Sequence, residues 1–303
     1  MRIILSLLFL LFANSAPARL LKMNHAHDTV VGQIETVIVR PNETLPQIAR
    51  RCDVGFFQLL QANPMVEPKE LLPGMQLIVP SKVILPPVPK VGVVINLAEM
   101  RLYYFFPHSG LFYVFPVGIG MQGWNTPEGK LHIVEKIKHP VWHVPNSIYQ
   151  FRKKNNDPVP RIVQPGPNNP LGHYAIRLSK QTYLIHGTNE PDSVGERSSA
   201  GCIHLYPEDI KQLFSVVSRG TPVRIINAPY LAGRQGKRIF ASAQWPLSEL
   251  RTAWKLQDKA VFSHFKAAQA VLPEIQAAPL FLNVLTTEHL GLPVALPISK
   301  NSR

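Results

Sequence analysis

Proline sets the first limit on how this chain can fold. Each proline inside a helix removes a backbone hydrogen bond and clashes with the turn before it, and 29 prolines are spread through 303 residues. Many turns and extended connections are therefore expected rather than long helices. A hydrophobic content of 46% against 17% charged residues belongs to a chain that buries a core, and the length suits two domains rather than one.

The prolines also mark a boundary. Residues 83–90, Val-Ile-Leu-Pro-Pro-Val-Pro-Lys, are too proline-rich for a central strand and read as a stiff extended linker, so that residues 81–90 divide the chain. Ahead of them residues 36–40 read as a strand, Thr44 and Gln47 fit a capping box that starts a helix, residues 56–62 read as a second helix ending at Asn63-Pro64, and residues 72–80 close the unit as a strand. In Glu43-Thr44-Leu45, Ile48-Ala49, Leu59-Leu60, Asn63-Pro64 and Pro73-Gly74 this βααβ unit, residues 35–80, resembles a LysM domain. The resemblance implies binding of N-acetylglucosamine-containing glycans. A tethering module raises local concentration without joining the chemistry, so its removal is expected to weaken attachment and to spare turnover of a small soluble donor.

At the N-terminus Arg2 precedes an almost wholly apolar run, residues 3–12, and Ala16-Pro17-Ala18 closes a small-residue stretch in an A-x-A pattern. Residues 1–18 read as a secretory signal peptide. An apolar core of about ten residues is too short to span a bilayer roughly 30 Å thick, and the first cysteine is Cys52, so the cleavage region carries no thiol for a lipid anchor. The formal net charge is +13, but the basic residues are scattered and no aromatic-basic recognition motif accompanies them. Nucleic acid is not expected as a partner; an anionic envelope polymer fits the charge better.

Beyond the linker, residues 91–96, 100–106 and 111–117 read as a β-meander. Gly118-Ile119-Gly120 and Thr126-Pro127-Glu128-Gly129 read as turns before a strand at 130–134. Residues 142–157 read as an irregular polar insertion, either over a cleft or as plain surface, and residues 165–172 as a compact turn leading into a strand at 173–178. Residues 207–217 carry acids in their first turn and apolar residues at helical spacing, hence a helix packed on the sheet, and residues 221–227 return as a strand. The tail, residues 228–303, has no assigned role: a strand pair around 236–243, helical spacing over 247–271, and mixed polarity with prolines from Val284 onward, which suggests poor order.

The chemistry converges on residues 183–205. His186 closes one strand-like segment and Cys202 opens another, so adjacent strand ends can bring an imidazole to a thiol that needs deprotonation before it attacks. Gly187 and Gly201 allow backbone geometry that a side chain would block, and Gly201 lets nearby N–H groups face a developing oxyanion. A small buried hydrophobe is the plain reading of Cys202 taken alone. Cys52 lies in the other module and reads as a free thiol, because pairing it with Cys202 would consume the nucleophile.

In His186-Gly187-Thr188 followed by Ser199-Ala200-Gly201-Cys202-Ile203-His204-Leu205 the chain resembles the L,D-transpeptidases, the YkuD-type catalytic domain. Here it would span residues 91–227. The resemblance implies a mainly β fold with a packed helix, beside the small βααβ LysM-like domain. It further implies a periplasmic enzyme that acts on peptidoglycan tetrapeptide stems through a Cys202 thioester, with His186 moving the proton, Gly201 serving the oxyanion and Gly187 supporting the backbone, and with no cofactor. The acyl acceptor would be a diaminopimelate amine or an envelope protein, since residues 165–178 resemble the subgroup that attaches an outer-membrane lipoprotein to peptidoglycan. Ser199, His173, Tyr174 and His204 are candidate substrate contacts; for His173 and Tyr174 a packed strand position stays open.

His204 stands where the family usually has Arg. Either it supplies charge on the nucleophile's side of the strand, or it packs as a neutral ring. Three other readings remain. Water in place of an amine acceptor would make an L,D-carboxypeptidase; a decayed catalytic domain would leave a wall-binding protein; and His186, Cys202 and His204 are all zinc-ligand types.

Overall fold

The computed structural model describes residues 18–23, 28–180, 182–249 and 288–297; the expected leader, apart from Ala18, and most of the segment with helical spacing lie outside them. The chain begins with β1 (Arg19–Lys22), β2 (Val30–Val31) and β3 (Glu35–Ile38). Helix α1 (Leu45–Arg51) follows, with Thr44 as its N-cap and Gln47 completing the reciprocal capping box, as the sequence pattern requires. Helix α2 (Phe56–Ala62), β4 (Gln76–Val79) and β5 (Val83–Ile84) complete the first part. β3 pairs antiparallel with β4, and the two helices close on a core of their own built on Val39, Leu45, Ile48, Leu59 and Leu77.

The second part opens with the expected meander, β6 (Gly92–Asn96), β7 (Arg101–Phe105) and β8 (Leu111–Pro116). It continues through β9 (Ile119–Gly120), β10 (Gly129–Lys138), β11 (Trp142–His143), α3 (Asn146–Lys154), β12 (Ile162–Val163), β13 (Tyr174–Leu178), β14 (Leu184–His186), β15 (Arg197–Ser199) and β16 (Ile203–His204). Helix α4 (Pro207–Val216) and β17 (Pro222–Ile226) precede a tail hairpin, β18 (Tyr230–Gln235) with β19 (Arg238–Ala243), and β20 (Val294–Ala295). Nine strands form one sheet in the order β1-β8-β7-β6-β17-β10-β13-β14-β16. The amphipathic face of α4, Ile210, Leu213 and Phe214, packs with Ile176, Ile185, Ile203 and Val223 in its core.

Four expectations change. The proline-rich stretch is extended but not free: β5 pairs with β2, and Val83 and Leu85 are buried with Val94, Tyr103 and Phe112. Gly118-Ile119-Gly120 is not a turn, because β9 pairs with β15. Residues 142–157 contain helix α3, none of whose residues is buried; its Ile148, Phe151 and Arg152 line the cleft described below. The end of the chain joins the fold within its described residues, where β20 adds to β19. Among the described residues no helix is long and apolar enough to cross a membrane.

Candidate active site

The site is built on the last three strands of the large sheet. β13 and β14 run antiparallel, and β14 and β16 run parallel with Ile185 beside Ile203 and His186 beside His204. Side chains alternate along a strand, so Ile185 and Ile203 turn into the core while His186, His204 and, two residues back, Cys202 share the opposite face. All three line one cleft of about 420 Å³. Met121, Trp124, Phe151 and Arg152 form one wall, with the Trp124 and Phe151 rings 5.7 Å apart, and Thr188, Glu190 and Ser193 belong to the loop opposite.

His186 is buried and its Nδ1 lies 2.5 Å from the Gly187 carbonyl oxygen. A carbonyl only accepts, so Nδ1 carries the proton and Nε2 keeps its lone pair. Burial, with the neighbouring His204 acting the same way, pushes the pKa of His186 down to about 3, which leaves the ring neutral. The thiol of Cys202 is half-buried, 3.9 Å from the Thr182 carbonyl. Burial raises its pKa, against a smaller lowering by a hydrogen bond from the Leu184 backbone. Near neutral pH the site therefore holds a neutral thiol beside a neutral imidazole.

The ring of His204 lies 6.2 Å from that of His186 at an interplanar angle of 27°. Its Nε2–H reaches the Ser193 carbonyl at 3.1 Å and Oγ at 3.0 Å, tying the loop after His186 to the sheet. The backbone on its other side must be glycine, because a Cβ on Gly118 would stand 1.9 Å from His204 Cε1. Burial lowers the pKa of His204 to about 4, so its environment is that of a packed neutral ring.

The turn before Cys202 is fixed from three sides. Ser199 Oγ donates to the Cys202 carbonyl at 2.6 Å and accepts the Gly201 N–H at 3.1 Å. Thr126 Oγ1 donates to the Gly201 carbonyl at 2.9 Å. Gly201 adopts φ +105°, and a Cβ there would meet the Tyr183 ring at 2.9 Å, so only glycine suits the position.

A family model described as the L,D-transpeptidase catalytic domain, YkuD, matches residues 90–225, and one for the LysM domain matches residues 37–80. "Probable L,D-transpeptidase YcfS" of Escherichia coli (strain K12) is 41% identical over 219 residues, covering 70% of this chain and 68% of the relative. "Probable L,D-transpeptidase ErfK/SrfK" of the same strain is 36% identical over 280 residues, covering 90% and 89%. The chain belongs to the L,D-transpeptidase family. It is an enzyme of that class acting on peptidoglycan, with the mainly β fold that the sequence predicts and a LysM domain as its first module.

Within this L,D-transpeptidase, His186, Cys202, Ser199 and His204 come together at the cleft. His173 and Tyr174 do not. His173 is exposed just ahead of β13, with its ring 5.5 Å from that of His139, and Tyr174 opens β13 and packs on the Phe214 ring at 4.9 Å, so neither lines the cleft and only Tyr174 takes the packed strand position. The Gly201 N–H, expected to serve the oxyanion, is engaged by Ser199. For zinc, no three His, Cys, Asp or Glu side chains converge as ligands among the described residues.

Sequence reasoning missed Arg152, Arg197, Ser193 and Gly118. Arg197 braces the loop: it donates to the Gly120 carbonyl at 3.0 Å and holds Glu249 through two bonds of 2.9 and 2.6 Å. The LysM domain reaches the same loop. The N–H of Phe56 donates to the Val194 carbonyl at 3.1 Å, and a Cβ on Gly55 would stand 2.7 Å from Gly195 Cα.

The depressed pKa of His204 has a measurable consequence. A histidine held neutral in the fold takes up its proton first in the unfolded chain, near the reference value of about 6.5, so its contribution is complete above that pH and is lost as pH falls toward about 4. Relative to His204→Gln, the wild type is expected to lose about 1.4 kcal/mol per pH unit across that window. Urea unfolding of both proteins from pH 7.5 to 4.5 checks this, and parallel curves would contradict it.

Proposed function

We propose that this L,D-transpeptidase works through an acyl-enzyme on Cys202 with His186 as its proton carrier. Support comes from one observation above the rest: Nδ1 of His186 is committed to a backbone carbonyl, which leaves Nε2 as the basic atom on the sheet face shared with Cys202. Nε2 takes the thiol proton as sulfur attacks the carbonyl of the third residue of a tetrapeptide stem. The tetrahedral oxyanion falls to the Cys202 N–H, because Ser199 already engages that of Gly201. Collapse breaks the amide bond, and the D-alanine amine leaves with the proton from His186. An acceptor amine then attacks the thioester, passes a proton to His186, and regenerates the thiol.

The acceptor is a diaminopimelate side chain or the terminal lysine of an envelope protein; water in its place gives the L,D-carboxypeptidase outcome. Export through residues 1–18 would place the reaction in the periplasm, with a LysM domain over residues 35–80 and a catalytic domain over residues 91–227, followed by an extension without an assigned role. Incubation of the purified protein with a disaccharide-tetrapeptide tests the route: a mass gain on Cys202 equal to the donor less D-alanine is expected. Adding amine acceptors separately, and analysing peptidoglycan digests from a deletion strain, tells transfer from hydrolysis.

Donor stems carry carboxylates, and both cleft histidines are neutral. Arg152 is the one Lys or Arg among the residues lining the cleft, held at 2.6 Å by Asp157, whose side chain is 62% exposed. It is the group fitted to take a donor carboxylate in exchange. Arg152→Gln is expected to raise KM about tenfold, the size of one charge-assisted hydrogen bond, with kcat little changed. An unchanged KM would remove Arg152 from the donor site.

A further inference from the structure

The seam between the LysM domain and the sheet buries charged groups that the acyl-transfer chemistry does not use. Asp53 follows α1 in left-handed backbone, φ +53°, and is buried; Asp209, in the first turn of α4, is 0% exposed. Their carboxyls face one another. The two carboxyls bond to each other, Asp209 carrying the proton, and no other group among the described residues bonds to Asp53 Oδ1 or to either Asp209 oxygen. A buried carboxylate without a counter-charge is costly and tends to stay protonated; burial takes Asp53 up to about 7 and Asp209 well above its usual range.

The nearby cations have partners already. Arg50 is held by Glu208 at 2.9 and 3.0 Å, and the Arg19 guanidinium by Glu35 through two bonds of 2.6 Å. The Tyr206 hydroxyl donates to the Val54 carbonyl. What points at Asp53 is the main-chain nitrogen of Arg19, 3.2 Å from Oδ2. A small cavity lined by Arg19, Asp53, Gln58, Ser81 and Arg101 adjoins it. Arg19 is the first residue of β1 and directly follows the Ala16-Pro17-Ala18 pattern.

We propose that hydrolysis of the Ala18–Arg19 bond turns this nitrogen into an α-ammonium that serves as the counter-ion of the Asp53 and Asp209 pair, so that removal of the leader locks β1 and the LysM domain onto the catalytic sheet. Water adds across the peptide bond under a leader peptidase. The new carboxylate leaves on Ala18, and the amine, protonated below its pKa, stays on Arg19. The nitrogen already lies at hydrogen-bond distance, so the backbone need not move. The inference rests on the export reading and is independent of the chemistry at Cys202.

The test compares two forms of residues 19–303, one beginning at Arg19 and one retaining Ala18 ahead of it, each released from a fusion by a protease that leaves that residue first. The form beginning at Arg19 is expected to melt higher at pH 6.5, by on the order of 5 °C. An ammonium stabilised by a carboxylate has a folded pKa above its ordinary value of about 8, so the advantage is complete below that value and disappears as pH rises through the folded pKa. Asp53→Asn is expected to erase the difference. Equal melting of the two forms at every pH overturns the proposal, as does an intact mass of the exported protein that starts anywhere but Arg19. Should Asp53→Asn not fold, acylation at pH 7 decides: the Arg19 amine is expected to react at least about tenfold more slowly than the Ala18 amine, and equal rates overturn it.

Discussion

Replacing Cys202 by alanine is expected to end thioester formation outright and to remove D-alanine release from a tetrapeptide donor. No other cysteine lines the cleft, and Cys52 lies in the core of the LysM domain with its pKa raised by burial. His186→Ala is expected to cost roughly 10² to 10⁴ in kcat, the range for losing a positioned proton carrier. The thiol is not ionised by His186 at rest, since burial holds both groups neutral. Alkylation of Cys202 in the His186→Ala protein is therefore expected at close to the wild-type rate, even as turnover collapses. An ion-paired thiolate would give the opposite result, a large fall in alkylation on loss of the imidazole, and the two rates measured side by side tell the cases apart. Retained release by Cys202→Ala would end the assignment of the nucleophile.

Excision of residues 35–80 is expected to reduce kcat on a small soluble donor by roughly ten- to a hundredfold, in addition to weakening sedimentation with peptidoglycan. This reverses the expectation for a simple tether. The loop between His186 and Cys202 is held on one side by Arg197 and His204 and on the other by the LysM domain, through Phe56 to Val194 and Gly55 against Gly195, while Arg50 pairs with Glu208 at the start of α4. Displacement of reacting groups by about 1 Å can cost a hundredfold. Gly55→Val is the gentler version, because its side chain would be driven into the Gly195 backbone while the glycan-binding module stays attached. Its kcat is expected to fall with little change in sedimentation. If both proteins keep kcat within about twofold, the LysM domain is only a tether after all.

Features written in neighbouring residues were legible in the sequence. The Thr44 and Gln47 cap, the meander, the α4 stripe and the turn before Cys202 all depend on contacts a few positions apart. What escaped depends on partners far along the chain. Gly118 looks like a turn glycine until His204 is seen pressed against it, and Val83 looks like linker until the sheet is beneath it. Helix α3 escaped for another reason: it is short and polar overall, and its apolar residues Ile148 and Phe151 face the cleft instead of a core. Strand β20 pairs with β19 from some fifty residues away, and nothing in its own two residues announces a strand.

The neutral state of the thiol carries a further cost and a benefit. Peroxide and disulfides react with thiolates, and a cysteine whose pKa is raised by burial exposes little thiolate at neutral pH. On the export reading proposed above, the enzyme works away from the cytoplasmic glutathione pool that would repair an oxidised Cys202. On that reading a Cys202 kept protonated in the empty cleft trades reactivity at rest for resistance to oxidation, so inactivation by dilute peroxide is expected to be slow when the cleft is empty.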